Sequence, residues 1–248
     1  MKRMKFVWHA LTSSVVAWMG TVTIAGPVLP PWPEGALKHW RFNAAAEFAS
    51  ERTAPLDHAG VLSVESWSGW ALQVAGASPA VIRFPGRDAT GRPNLTLDQG
   101  SVRFWFRPDW NSGAGPGVAA PLFEVAAVSG RLWSGWSLEV SADGSRLGLV
   151  VQGNAVGEEW LLETPIGWLA GRWHEVVVSY AAEATALYVD GLLVARGEGL
   201  RLGSVTVGDA DVGFSLGSDV ASGTRLAQGQ FEELSTYDYV YPAEGVAR

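Results

Sequence analysis

The residues best suited to recognition chemistry are aromatic and cationic. Between Ser101 and Arg107, Val102, Phe104 and Phe106 alternate with Arg103, Trp105 and Arg107, the period-two pattern of a strand with one face turned to a core. The outward set places an indole between two guanidinium groups. A sugar ring stacks its C–H face on an indole, while guanidinium groups donate hydrogen bonds to hydroxyl or carboxylate oxygens. Arg103, Trp105 and Arg107 are therefore the leading candidates for a glycan platform, acidic sugars included. The competing reading is packing, with Trp105 covered by a loop or clamped between the arginines. Trp67, Trp110, Trp133 and Trp160 fall near expected strand ends or loops, where binding residues often sit. Trp67, Trp133 and Trp160 join the candidate set.

Hydrolytic chemistry finds little support. Gly213-Phe214-Ser215-Leu216-Gly217 spells G-x-S-x-G, but a nucleophile elbow needs a following helix and a later histidine. The last histidine is His174, and a strand running into a turn is the better reading. The densest acidic cluster is Glu158-Glu159-Trp160-Leu161-Leu162-Glu163. Glu159 and Glu163 share a strand face with no carboxylate between them, so the paired acids of a glycosidase are not offered. Asp209 and Asp211 supply two oxygens where a hard cation needs several more ligands. His39, His58 and His174 lack metal-site spacing. No catalytic residue is assigned, and the chain is expected not to be an enzyme.

Composition narrows the partners. The chain has 248 residues, 13 Trp and no Cys, which removes disulfide scaffolds, thiol nucleophiles and cysteine-ligated metals. Its net charge is −7, yet residues 1–25 hold Lys2, Arg3 and Lys5 and no acid, leaving 15 basic against 25 acidic residues beyond them. Lys38 is the only later lysine and no basic stripe forms, which argues against nucleic acid or an anionic membrane as partner. Met1–Lys5 followed by the uncharged, largely apolar Phe6–Ala25 has the layout of a secretory signal peptide ending at Thr23-Ile24-Ala25. An uncleaved anchor is the alternative, since the stretch nearly reaches bilayer length. Residues 26–35, rich in Pro, read as a stiff linker, and 36–248 as one folded domain. An exported chain without cysteine fits a bacterial source, with the product secreted or held at the cell surface.

Those candidate residues need elements to position them. After residue 36 the pattern is alternation interrupted by Gly, Asp and Pro every eight to twelve residues, which signals an all-β sandwich or barrel. Strands are expected near 37–43, 70–75, 80–84, 100–107, 121–127, 136–141, 145–151, 159–163, 172–180, 184–190, 192–196, 204–207, 212–217 and 229–236. Asp143-Gly144 and Asp190-Gly191 mark two hairpins, and this many strands favours two stacked antiparallel sheets. Trp67-Ser68-Gly69-Trp70-Ala71-Leu72-Gln73-Val74 and Trp133-Ser134-Gly135-Trp136-Ser137-Leu138-Glu139-Val140 agree at six of eight positions. They predict two similar strands, each with its first Trp on the preceding turn and its second in the core.

Gly171-Arg172-Trp173-His174-Glu175-Val176-Val177-Val178-Ser179-Tyr180, followed by Ala186-Leu187-Tyr188-Val189-Asp190-Gly191, resembles the W-H to D-G hairpin of laminin-G-like domains in the concanavalin A-like lectin/glucanase superfamily. Trp40-Arg41-Phe42, Gly69–Val74, Ser101–Pro108 and Gly229-Gln230-Phe231-Glu232-Glu233-Leu234 resemble further strands of that family, so the likeness spans about residues 36–246. The resemblance implies a jelly-roll sandwich and a non-catalytic binding or adhesion module. It assigns His174 to the hairpin signature as a structural residue. Glycosidases of the superfamily carry an E-x-D-x-(x)-E strand that Glu158–Glu163 does not reproduce. Calcium-binding members often carry Asp where Asn43 and Glu232 stand here, so calcium stays an open ligand and no cofactor is required. The leading expectation is recognition of a glycan or surface polymer. The alternative is adhesion to protein partners, with a degenerate hydrolase third.

Overall fold

The computed structural model describes residues 35–42, 53–76, 79–129, 132–153, 157–202 and 211–241. The expected signal peptide, most of the linker, Asn43, Asp209 and the strand expected at 204–207 lie outside them. In chain order the first strands are β1 (Lys38–Trp40), β2 (Asp57–Ala59), β3 (Val61–Ser66), β4 (Gly69–Val74), β5 (Val81–Pro85), β6 (Gly100–Pro108), β7 (Ala120–Ser129) and β8 (Leu132–Val140). There follow β9 (Arg146–Gly153), β10 (Gly157–Pro165), β11 (His174–Tyr180), β12 (Ala184–Val189), β13 (Leu192–Glu198), β14 (Asp211–Leu216) and β15 (Gly229–Tyr237). They form two antiparallel sheets, a jelly-roll β-sandwich. One is eight-stranded in the order β13-β12-β11-β6-β15-β4-β3, with β1 also paired to β15. The other runs β10-β9-β8-β7-β14-β5-β2.

Alternation dictates the core between the sheets. Val102, Phe104 and Phe106 of β6, Val176 and Val178 of β11, Phe123 and Val125 of β7, and Trp136, Leu138 and Val140 of β8 are all fully buried. Phe214 stacks between Phe84 and Phe123 at centroid distances of 5.3 and 5.2 Å, and Trp40 of the opposite sheet meets its edge at 5.5 Å. Truncating such a side chain leaves a cavity and costs about 3–5 kcal/mol.

Both Asp-Gly hairpins form. Asp190 and Gly191 have φ of 51° and 78°, the left-handed pair that a two-residue turn between twisted strands requires. Asp190 Oδ1 accepts from the Glu175 backbone N–H at 2.9 Å, and Oδ2 meets His174 Nδ1 at 2.8 Å. His174 also stacks on Trp168 at 4.8 Å. Its role here is to tie the hairpin together. Three expectations need correcting. β2 and β3 were not expected; both are sheet-edge strands with largely half-exposed faces, so their apolar alternation is weak. Trp133 belongs to β8 rather than to a turn before it, whereas Trp67 does sit on the turn between β3 and β4. The strand expected over 37–43 closes at Trp40, and Phe42 turns left-handed at φ 56°.

Candidate functional site

β6 lies between β11 and β15 near the middle of the eight-stranded sheet. Because Val102, Phe104 and Phe106 point into the core, Arg103, Trp105 and Arg107 share the outer face. The register sets Trp105 beside Glu175 of β11 and Glu232 of β15, and Arg107 beside Gln230. Trp105 is only 8% exposed. What covers it is aromatic: Trp67 meets it edge-on at 5.6 Å, and Trp173 meets Trp67 at 6.3 Å. Trp67 and Trp173 are half-buried and form the solvent side of this cluster. The Arg107 guanidinium lies over the Trp173 ring at 5.7 Å. Arg103 is differently engaged, with Nε and one terminal nitrogen donating to Glu175 Oε1 at 2.6 and 2.5 Å. That pair is almost dry, so Arg103 holds β6 to β11 and offers no free fork to a ligand.

A bulge in β15 adds a second acid, Glu233, to this face. Two residues there oppose one of β6 between Glu232 and Ser235, with Glu233 left-handed at φ 52°. Glu233 then reaches His39 Nε2 at 2.8 Å and accepts from Ser68 Oγ at 3.3 Å, while His39 Nδ1 meets Ser235 Oγ at 2.8 Å. Burial lowers the His39 pKa against the pull of Glu233, so its ring is neutral near pH 7. Glu232 is fully buried, and burial pushes its carboxyl up to about 7. Hydrogen bonds from the Ser66 and Ser68 hydroxyls and from the Ser68 backbone N–H pull the other way. Among the described residues, Trp67 Nε1, Trp105 Nε1, Arg107 Nε and Gln230 Oε1 are buried without a hydrogen-bond partner. A buried polar group without a partner costs roughly 1–3 kcal/mol. Here several such groups collect around one aromatic cluster, an arrangement that points to a ligand.

Of the six binding candidates, the fold thus gathers Trp67, Arg103, Trp105 and Arg107. It separates Trp160, which lies on β10 of the other sheet, is 43% exposed, and covers Gly148, where a Cβ would come within 2.6 Å of the ring. Trp133 pairs with Val128 in β8, and its side chain lies outside the described residues. Trp173, Gln230, Glu233, His39 and the two serines were not foreseen as site residues. Trp173 stood inside the hairpin signature, and only the bulge places Glu233.

Two carboxylates do come together on the opposite sheet, away from the gathered candidates. Glu124 of β7 and Glu139 of β8 both face Arg225, at 3.8 and 2.9 Å. Gln152 Nε2 and the Val220 N–H donate to Glu124 at 3.1 and 3.0 Å, and Ser137 donates to Glu139 at 2.7 Å. These acids are tied down and hold the 217–228 loop to the sheet. Burial still pushes Glu124 up to about 7, against the Val220 N–H and the Arg225 charge. Ser215 of the G-x-S-x-G segment donates to the Ser218 carbonyl at 2.5 Å as a turn residue. A cleft of about 390 Å³ between the β10 and β13 edges is lined by residues including Glu159, Glu183, Glu198 and Arg201, and holds none of the gathered candidates. Among the described residues no three His, Asp or Glu side chains group to hold a metal ion, and no helix is long and apolar enough to cross a membrane.

The family model described as the concanavalin A-like lectin/glucanases superfamily matches residues 86–247, more than half of the chain. No curated protein matches the sequence. Among solved structures, domain 4 of the extracellular arabinanase AbnA from Geobacillus stearothermophilus, solved with arabinotriose, is 15% identical at TM-score 0.60 and covers 86% of this chain and 97% of its own. Trypanosoma rangeli sialidase in complex with sialic acid is 16% identical at TM-score 0.61, covering 90% of this chain, which spans about a third (35%) of the sialidase. The receptor binding domain of botulinum neurotoxin type G is 10% identical at TM-score 0.59, covering 86% of this chain and 50% of its own.

Proposed function

The chain belongs to the concanavalin A-like lectin/glucanases superfamily, and from that premise we propose that it is an exported, non-catalytic module that binds carbohydrate on the outer face of its eight-stranded sheet. The observation that carries this reading is the set of dry, unpartnered polar atoms of Gln230, Arg107, Trp67 and Trp105 beside three indole rings. Indoles supply the stacking surface for a sugar, and the orphaned donors and acceptors supply its hydrogen bonds. The arabinanase domain solved with arabinotriose has the same fold over nearly its whole length, which makes a sugar ligand a natural use of the architecture. Export rests on the N-terminal sequence. The test is tryptophan-fluorescence titration of the full chain against a polysaccharide panel, with calcium and then with EDTA. Saturable binding abolished by Trp105→Ala and kept by Trp160→Ala is the expected result. Absence of binding to every glycan in both conditions contradicts it.

One observation favours the adhesive alternative. β13 ends its sheet, and Leu192, Leu193 and Val194 lie exposed along it. Exposed apolar residues on an edge strand are a surface for pairing with a protein. Polar substitutions there leave glycan binding unchanged under the first reading.

A further inference from the structure

A row of polar side chains crosses the same outer face and fixes which way one amide points, an inference that rests on the glycan reading above. Gln73 of β4, Gln230 of β15 and Arg107 of β6 are register partners across three adjacent strands. The Arg107 guanidinium ends the row over the Trp173 ring. Asp109 lies two residues beyond Arg107 and is exposed. Its Oδ2 accepts from Gln73 Nε2 at 2.8 Å, and Gln73 Oε1 accepts from Gln230 Nε2 at 2.6 Å.

The direction of this chain is set at one end. A carboxylate only accepts, whereas an amide has one donating and one accepting corner. Asp109 therefore holds the Gln73 NH2 towards itself, which turns the Gln73 oxygen to Gln230. Gln230 must then give its NH2 to Gln73. Its Oε1 is left as the accepting corner beside Arg107, and among the described residues both that oxygen and Arg107 Nε are buried without a partner. Reversing the Gln230 amide alone would set its oxygen against that of Gln73.

We infer that Asp109 and Gln73 are positioning residues of this face: without touching the sugar, they hold Gln230 Oε1 to accept a hydrogen bond from one of its hydroxyls beside the Arg107–Trp173 stack. The test titrates the full chain with mannan, galactan, arabinan and glucan by tryptophan fluorescence. Variants are compared on each polymer that binds, with circular dichroism to confirm folding. Gln230→Ala and Asp109→Ala are each expected to weaken binding about three- to tenfold, the scale of one neutral hydrogen bond. Gln230→Glu is expected to weaken it too, because two carboxylates then compete for the Gln73 NH2. Adding Asp109→Asn relieves that conflict: Gln73 turns over, gives its NH2 to position 230 and accepts from position 109, and most of the affinity returns. A residue with a merely structural part would add its own loss instead of cancelling the first. Unchanged affinity in folded Asp109→Ala, or no recovery in the Asp109→Asn/Gln230→Glu double variant, overturns the relay and leaves the glycan reading standing. If the variants at position 230 fail to fold, Asp109→Ala, at an exposed site, decides alone. No glycan binding by the unmodified chain overturns both readings.

Discussion

Glu232 shows how a single side chain links the face to the stability of the fold. Burial raises its pKa to about 7, and burial does the same for Glu124 on the opposite sheet. In each case the folded chain keeps a proton that the unfolded chain gives up near its ordinary value. Stability must therefore fall as pH rises towards and through 7, and level off above it. His39, lowered by burial, works in the opposite sense only below its ordinary 6.5. Between pH 6.5 and 8 the two carboxyls together predict a loss of roughly 1–2 kcal/mol. Thermal melts at the two pH values check this: the unmodified chain melts lower at pH 8, and the Glu124→Gln/Glu232→Gln double variant loses most of the difference. An unchanged melting temperature in the unmodified chain would sink the assignment. Arg103→Ala, which strands Glu175 almost dry, is predicted to cost about 3–5 kcal/mol in urea unfolding.

At the level of elements, the hairpin of β11, β12 and β13 was readable because its chemistry is local. Asp190 and Gly191 supply left-handed backbone, and Asp190 closes the turn on Glu175 and His174. Asp190→Ala loses both contacts and puts a poor residue at φ 51°. It is predicted to destabilise by about 1–2 kcal/mol in chemical unfolding, with Asp190→Asn milder. The β15 bulge was not readable. Gln230-Phe231-Glu232-Glu233-Leu234 looks like ordinary alternation until the partner strand shows two residues opposing one. That slip takes Glu233 off the face it would share with Phe231 under strict alternation and makes it a neighbour of His39. β2 and β3 escaped for a different reason: edge strands bury little, so their sequences carry little periodicity. The Trp67 turn between β3 and β4 nevertheless caps the site, so an element that the alternation hides supplies one of its walls.

The whole molecule is a sandwich whose core ties both sheets through aromatic contacts such as Trp40 with Phe84 and Phe214. Phe214→Ala should cost about 3–5 kcal/mol and depress melting of both sheets together, since its ring packs against Phe84 and Phe123 of its own sheet and Trp40 of the other. Alternation along β6 revealed which side chains look outward. It did not reveal that Arg103 is consumed by Glu175, or that Trp160 sits on the other sheet, because both depend on which strands become neighbours. Carbohydrate recognition is proposed on one of two outer faces, and one titration separates them. Soluble neutral polysaccharide is added to the unmodified chain, Trp105→Ala and Trp160→Ala, and tryptophan emission is followed, with far-UV circular dichroism to confirm that each variant is folded. The expected result is saturable quenching that survives Trp160→Ala and vanishes in folded Trp105→Ala. Binding that survives Trp105→Ala and vanishes with Trp160→Ala would put the site on the seven-stranded sheet and contradict it.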